Sequence, residues 1–346
     1  MAIPSEVPTV PVPAAAPRRP RAAVGWLVAA LVATLPVAAL SVFRAVPLQW
    51  PTPVVQALSF IPWLALPAAL AVLFAVFSRR VWAALATAAL LAVQLFWLFP
   101  LDHGRHVPEA GARLLELKAM NINSKYGQAD PAEIVRLVRE NGIGLLAVQE
   151  HSQALEDGLA KAGLARLLPN RISDPTDDAA GSAVYSAYPL QAMGRVPDTP
   201  FQIPTVRVTI TAGDATAVLD VTNVHTLPPV DVRIAQWRHD LAAVGRLAAL
   251  PGNQLLIGDF NASYDHVEFR RLVDGGPDGR KMVDVGVASG ARLLATWPME
   301  GPPLPGIVID HLVTSPGVSS SGYAVHPVPG SDHAAIMASL GIPATG

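Results

Sequence analysis

The sequence predicts an α/β protein, two packed β-sheets covered by helices, preceded by three transmembrane helices. Two observations carry this reading. Between Arg21 and Asp102 only Arg44, Arg79 and Arg80 are charged, as lipid-facing chain requires. After Asp102, acids and bases are scattered among apolar runs of strand period that alternate with helical patterns, the signature of layered strands and helices around one core. By composition the 346 residues divide into a tail (1–21), a membrane anchor (22–101), a linker (102–112) and a water-soluble domain (113–346).

The tail is rich in Pro and Ala and has no apolar periodicity, which predicts a disordered segment. Ala22 to Phe43 is an uncharged Ala/Leu/Val run, long enough to cross a hydrocarbon core of about 30 Å. A turn rich in proline (Pro47, Pro51, Pro53) leads to a second span, Val54 to Phe77, and Val81 to Leu101 makes a third. A cleaved signal peptide fits poorly, since its apolar core is only about 7–15 residues long. Arg18, Arg19 and Arg21 precede the first span, and Arg79 and Arg80 lie between the second and third. Two crossings apart, these clusters share one face, which the positive-inside rule makes cytoplasmic. The third crossing then places the soluble domain outside, with Arg44 the one dissenting charge.

In the soluble domain, Leu114 to Ile122 alternates as a strand. Asp130 as N-cap, Pro131 at the first helical position and Glu133 at the third start a helix with the buried stripe Ile134, Leu137 and Val138. Asn141-Gly142 stops it, and the apolar run from Gly144 to Val148 is an interior strand that delivers Gln149 and Glu150 at its end. Asn170 to Gly181, with its Asp and Gly residues, reads as a mobile surface loop framing the substrate entrance. Val206 to Thr211 and Thr216 to Thr226 flank Gly213-Asp214 as a hairpin. A helix from Asp231 to Leu250 stops at Pro251-Gly252. A strand from Gln254 to Ile257, a short helix after Ser263, a strand from Gly306 to Val313 and a strand pair around Tyr323 and Ile336 complete the chain.

The chain has no cysteine, which excludes a thiolate nucleophile, a Cys-ligated zinc and a disulfide framework. A net charge of −2 argues against a strongly basic nucleic-acid surface. Polar residues instead recur at the ends of apolar strands, where a scaffold holds them rigidly: Gln149-Glu150, Asn223-Val-His225, Gly258-Asp-Phe-Asn261, Asp310-His311 and Ser331-Asp-His333. Taken singly, each has an ordinary reading: a solvated strand-end acid, a capped turn, a core histidine.

Together and in order, from Leu114 to Leu340, these motifs resemble the series of the endonuclease/exonuclease/phosphatase family. The resemblance implies a four-layer α/β sandwich (DNase I-like) with its site at one edge of the sheets. It also implies a divalent metal, Mg²⁺ first and Mn²⁺ as the alternative, and carboxylate and amide oxygens are the donors a hard cation takes. Carried over, Glu150 is the principal metal ligand and Asp332 completes the shell. Asn123 touches metal or phosphate, with Asn121 the competing position. Asp259 and Asn261, two residues apart and so on one side of an extended segment, orient the attacking water and hold a phosphate oxygen, Asp259 as general base. His333 donates to the phosphoryl group with Asp310 fixing its tautomer, and His225 donates to a phosphate oxygen or protonates the leaving group.

The expected function is that of an extracytoplasmic, metal-dependent phosphoesterase. Its partners are the lipid bilayer and a phosphorylated substrate, and no protein partner is inferred. A narrower resemblance, to membrane phosphatases associated with glycopeptide resistance (VanJ-type), implies a lipid pyrophosphate such as undecaprenyl pyrophosphate. The alternatives are an extracellular nuclease of the same fold and a catalytically silent, membrane-tethered binding module. Nucleic acid is the less favoured substrate, because the soluble domain has few lysines.

Overall fold

A computed structural model describes residues 21–101, 103–104, 106–107, 111–301 and 305–345. The expected tail before Arg21, and residues 102, 105 and 108–110 of the expected linker, lie outside the described residues. The strands are β1 (Leu114–Asn123), β2 (Leu145–Gln149), β3 (Asn170–Asp174), β4 (Ser182–Ser186), β5 (Leu190–Arg195), β6 (Pro204–Ala212), β7 (Ala215–His225), β8 (Gln254–Asp259), β9 (Val283–Asp284), β10 (Asp310–Thr314), β11 (Ser319–Pro327) and β12 (Ala334–Pro343). They form two six-stranded sheets, β11-β12-β1-β2-β4-β3 and β5-β6-β7-β8-β10-β9. The helices are α1 (Arg21–Ala45), α2 (Thr52–Leu58), α3 (Ala65–Phe77), α4 (Val81–Leu98), α5 (Pro131–Asn141), α6 (Gln153–Lys161), α7 (Ile234–Ala248) and α8 (Val267–Asp274).

Strand alternation explains both the core and the place of the site. Leu115, Leu117 and Ala119 of β1 and Leu145 and Ala147 of β2 meet Leu219 and Val221 of β7, Leu255 and Ile257 of β8 and Leu312 of β10 between the sheets. The opposite faces pack on helices: β1 and β2 on α5 and α6, and β7, β8 and β10 on α7 and α8. The result is four layers. Followed to one edge, the same inward-facing positions turn polar: Asn121 and Asn123, Gln149, Asn223 and His225, Asp259 and Asp310, all buried. Register aligns them, with Asn123 opposite Gln149, His225 opposite Asp259 and Asp310 opposite Asp259.

Several expected elements differ. The strand expected from Gly306 begins only at Asp310, and Ile307 instead bridges Trp297. Because β10 runs antiparallel to β8, Asp310 starts its strand rather than following it, yet reaches the same sheet edge. Asn170 to Asp174, expected to be loop, pairs with β4 as an edge strand. The helix expected from Asp231 opens as a 3-10 turn before α7. Asp130 caps α5 as its sequence signals, accepting from the Ala132 N–H at 2.8 Å.

The N-terminal helices pack inside out relative to a water-soluble core. Ala30, Ala71, Ala75 and Ala83 are buried between them, while Val32, Leu35, Leu70 and Leu85 face outward, Leu35 with 67% of its surface exposed. Small residues inside and large apolar ones outside suit lipid, where close backbone approach rather than water exclusion drives association. Helices α1 and α4 are long and apolar enough to cross a membrane. The expected second span is broken: α2 is bent by 63° from the segment Ile61–Phe77, and the two make a third crossing only if counted as one span. This part of the chain is compatible with a membrane anchor.

These N-terminal helices grip the α/β domain at the loop after β8. Arg44 at the end of α1 reaches Asp265 at 2.6 Å, with both side chains buried. Arg292 holds the second oxygen of Asp265 and also donates to the Trp97 carbonyl. His266 accepts from the Ser263 N–H through Nδ1 and donates through Nε2 to the Val55 carbonyl at 2.8 Å. Trp63 donates to the Gly306 carbonyl at 2.8 Å. Burial opposes charge on Asp265, but the Arg292 and Arg44 guanidiniums outweigh it and hold the carboxyl below its usual range. Arg44 is therefore a docking residue, which accounts for a charge that loop counting leaves unexplained. Asp265→Ala leaves two buried guanidiniums without their acid and is expected to cost about 3–5 kcal/mol. Thermal unfolding of the detergent-purified chain would show this as a markedly lower midpoint, whereas an unchanged midpoint would mean the node carries no stability.

Candidate active site

The polar edge of the sandwich interior is one connected network. Asn123 donates to Glu150 Oε1 at 3.1 Å and to Asp259 Oδ2 at 3.0 Å. Glu150 stands just past β2 in the left-handed region, at φ 53°, a conformation that costs a non-glycine residue energy and persists only where the surroundings impose it. Here the Tyr126 N–H donates to Glu150 Oε2 at 2.8 Å, and the Ser124 hydroxyl bonds to the carbonyls of Gln149 and Glu150. Asn261 is also left-handed, at φ 46°. Its N–H donates to Asp259 Oδ1 at 2.8 Å and its amide to the Thr226 carbonyl. Gly258 makes this possible: a Cβ there would lie 1.9 Å from the Val224 carbonyl oxygen, so only glycine lets β8 run alongside β7 up to Asp259.

His333 donates through Nδ1 to Asp310 Oδ2 at 2.9 Å and turns Nε2 toward Asp259, 3.7 Å away. Its backbone is fixed by Ser331, whose hydroxyl accepts the His333 N–H and donates to the Asn123 carbonyl. Asp310 is held by Thr296, whose hydroxyl accepts from the N–H groups of Ile309 and Asp310. Beneath them Gln149 donates to Asn121 at 2.6 Å and Asn223 at 2.5 Å, and Asn121 lies 3.4 Å from Asp310. Both candidate asparagines thus belong to the network: Asn123 touches the carboxylates of Glu150 and Asp259, and Asn121 backs Asp310. His225 Nε2 is 3.8 Å from both Glu150 and Asp259, and its ring stacks on Phe201 at 4.3 Å. His151 and His311, which adjoin site residues in sequence, turn away to Glu156 and Tyr185, and to Asp284 and the Ala262 carbonyl.

Burial dominates the electrostatics. It raises Glu150 despite the opposing bonds from Asn123 and Tyr126. It also raises Asp259, against the pull of His333 and with the added push of Asp310. Burial would lower His333, but the carboxylates of Asp310 and Asp259 outweigh it and push the imidazole up to about 10. His225 goes the other way, lowered to about 4 chiefly by burial. At neutral pH the site therefore holds one imidazolium and one neutral imidazole.

The donor set fits a divalent cation. Carboxylate oxygens of Asp259 and Asp310 lie within 4.8 Å of each other and of a His333 ring nitrogen; with His333 protonated, the donors left to a cation are these carboxylates and the oxygens of Glu150 and Asn123 beside them. Burial holds Glu150 and Asp259 above the usual carboxylate range, and a hard cation beside their oxygens would offset that cost. Of the three expected metal ligands, Glu150 and Asn123 are in contact, whereas the Asp332 carboxylate is turned to the Trp297 indole, 3.1 Å away. Two supporting residues carry no sequence signal of their role, Thr296 under Asp310 and Phe201 against His225, while Asn223, whose motif the sequence does show, forms the floor beneath Gln149.

A sandwich of two mixed sheets with carboxylates, amides and an Asp-His pair gathered at one inner edge defines a DNase I-like α/β fold. The chain belongs to the Endonuclease/Exonuclease/phosphatase family, which it matches over residues 119–333. The members are hydrolytic phosphoesterases and nucleases that generally use divalent metals. Among solved structures it is similar to an AP endonuclease from Archaeoglobus fulgidus, with 14% identity, a TM-score of 0.51 and 64% of this chain covering 98% of that one. It is also similar to D. rerio TDP2 complexed with single strand DNA product, with 15% identity, a TM-score of 0.50 and coverage of 65% and 98%. These likenesses establish the fold. No curated protein matches the chain in sequence.

Proposed function

We propose that this chain is a membrane-anchored, metal-dependent phosphoesterase that removes phosphate from a lipid-linked pyrophosphate at the outer membrane surface. One observation carries the proposal: the loop that follows Asp259 and bears Asn261 is the loop the anchor clamps, through Asp265 and His266. The reacting groups are thereby fixed beside the bilayer. That placement raises the effective concentration of surface-confined substrates and gives no comparable advantage with diffusing nucleic acid. The resemblance to glycopeptide-resistance phosphatases supports the choice of a polyprenyl pyrophosphate.

The orientation follows from charge. Arg44 and Trp97, at the ends of α1 and α4, face the soluble domain, while Arg79 and Arg80 lie in the turn between α3 and α4, at the opposite ends of those helices. Basic residues at the far end favour a cytoplasmic location for that end and an external soluble domain. Alkaline phosphatase fused after Gly346 is expected to be active, and a cytoplasm-dependent reporter dark. The reverse pattern would overturn the orientation and the lipid-pyrophosphate reading with it.

A cation bound at Glu150, with Asn123 beside it, would polarise a phosphoryl oxygen and offset its charge. Asp259 accepts the proton of the attacking water, and the Asn261 N–H fixes its direction. His333, kept protonated by Asp310, donates to the phosphoryl group, and neutral His225 donates a second N–H. A lipid monophosphate leaves as a stable anion and demands no strong general acid.

The deciding experiment is phosphate release by the detergent-purified full chain from a lipid pyrophosphate, a phospholipid and DNA. Lipid pyrophosphate is expected to be preferred, with activity abolished by chelation and restored by Mg²⁺ or Mn²⁺. Faster cleavage of DNA would make the protein a nuclease, and inertness toward all three with metal present would make it a binding module.

A further inference from the structure

Between the anchor and the catalytic edge lies a cavity of about 390 Å³ whose floor includes Asn261 and His333. We infer that the bend after α2 forms part of the substrate site, a subsite for the apolar chain attached directly to the phosphate. The inference deepens the proposed function and rests on it.

Three features of the cavity point to that occupant. Its walls are mostly apolar: Phe60 from the N-terminal helices lines it together with Pro228, Pro229, Val230, Ile307 and Ile309, and the amide of Gln56, one of its polar groups, is engaged by the Pro229 carbonyl. Among the described residues no lysine, arginine or acid lines it, and the titratable group there is His333, whereas a nucleic-acid groove would present basic side chains to phosphates. The apolar wall also starts at the reacting groups, since Ile309 adjoins Asp310, the partner of His333. A chain bonded straight to a phosphate must leave the site within a bond or two of the phosphorus, so its subsite has to begin there. A diacyl lipid instead places two polar ester groups next to its phosphate, more than the few polar groups of this lining are free to pair, since Gln56 and Asn261 already donate to the Pro229 and Thr226 carbonyls. The fit is to a single prenyl-type chain.

The bend supplies this wall. Phe60 falls between α2 and Ile61–Leu64, at the 63° break, and is a large aromatic with 38% of its surface exposed. An unbroken second span would carry it into the bilayer; the break brings it to the cavity. The wall is tied to the opposite side, with Gln56 donating to the Pro229 carbonyl at 3.4 Å and Thr52 to the Asp231 carbonyl at 3.2 Å.

The test compares farnesyl pyrophosphate with inorganic pyrophosphate, using the full chain in detergent. Phe60→Ala and, from the facing wall, Val230→Asn are each expected to lower the ratio of kcat/KM for the two substrates about tenfold, mainly through KM for the farnesyl compound, as about 1.4 kcal/mol of lost apolar contact gives. Leu85→Ala, on the lipid face of α4, should leave the ratio unchanged. If the wild type prefers farnesyl pyrophosphate but both cavity variants retain its ratio, the subsite is refuted and the proposed function stands. If the wild type shows no such preference, both fall.

Discussion

Glu150→Gln is expected to remove about 10³-fold of turnover while leaving the fold intact. The substitution preserves volume and an acceptor for the Tyr126 N–H that now reaches Glu150 at 2.8 Å, so the left-handed backbone at φ 53° keeps its support. What disappears is the negative charge. Burial already resists that charge, so a neutral amide should cost little stability or even add to it, while loss of one preorganised electrostatic partner is worth about 10²–10³ in rate. Two measurements separate this from misfolding. The thermal midpoint of the variant should equal or exceed that of the wild type, and the midpoint rise that added Mg²⁺ gives the wild type through binding to the native state should shrink or vanish. A variant that keeps both full turnover and the metal-induced rise would remove Glu150 from the site.

Asp310→Asn, His333→Ala and the double variant should show strongly non-additive losses. The two groups share a 2.9 Å hydrogen bond inside the protein, and Asp310 is the foremost of the charges that push His333 up to about 10 against the cost of its burial. Either single change is expected to cost about 10³–10⁴ in kcat, by analogy with other oriented Asp-His units, and the second little more. The pH profile gives an independent readout. A raised folded pKa keeps the imidazolium, and the activity that depends on it, well above neutrality in the wild type. Without the Asp310 charge that pKa falls, so Asp310→Asn should lose its residual activity at lower pH than the wild type does. Losses that simply multiply, or profiles that coincide, would show that the pair does not act as one unit.

Much of this architecture is legible in the sequence because its causes are local. Asp130, Pro131 and Asn141-Gly142 delimit α5 through capping and turn chemistry close at hand, and the alternation along β1 and β7 shows which residues face inward. The inward parity even carries the polar edge, since Asn123, His225 and Asp259 simply continue the rows begun by Leu115, Leu219 and Leu255. What stays hidden depends on distant partners. The break at Phe60 lies in a run that is apolar on both sides, so composition reads one span. Ser182 to Ser186 is buried along its whole length and so shows no alternation. Arg44 looks like a misplaced loop charge because its explanation, Asp265, is 221 residues away. Asp332 shows what a motif leaves open, since it gives a residue's neighbourhood but not its partner, here the Trp297 indole.

The Arg44–Asp265 clamp bears on how the molecule comes into being. Chains are made from the N-terminus, so Arg44 emerges long before Asp265 does. Under the proposed topology, α1 is already seated in lipid when the strand carrying Asp259 is synthesised, and the loop beyond it closes on a partner that insertion has put in place. A copy that fails to insert lacks this arrangement: Asp265 would lose one of its two guanidiniums, and the segment positioning Asn261 would lose its outer support. Under that topology, competence for chemistry would be coupled to delivery, since the segment that carries Asn261 takes its outer support from the inserted helices.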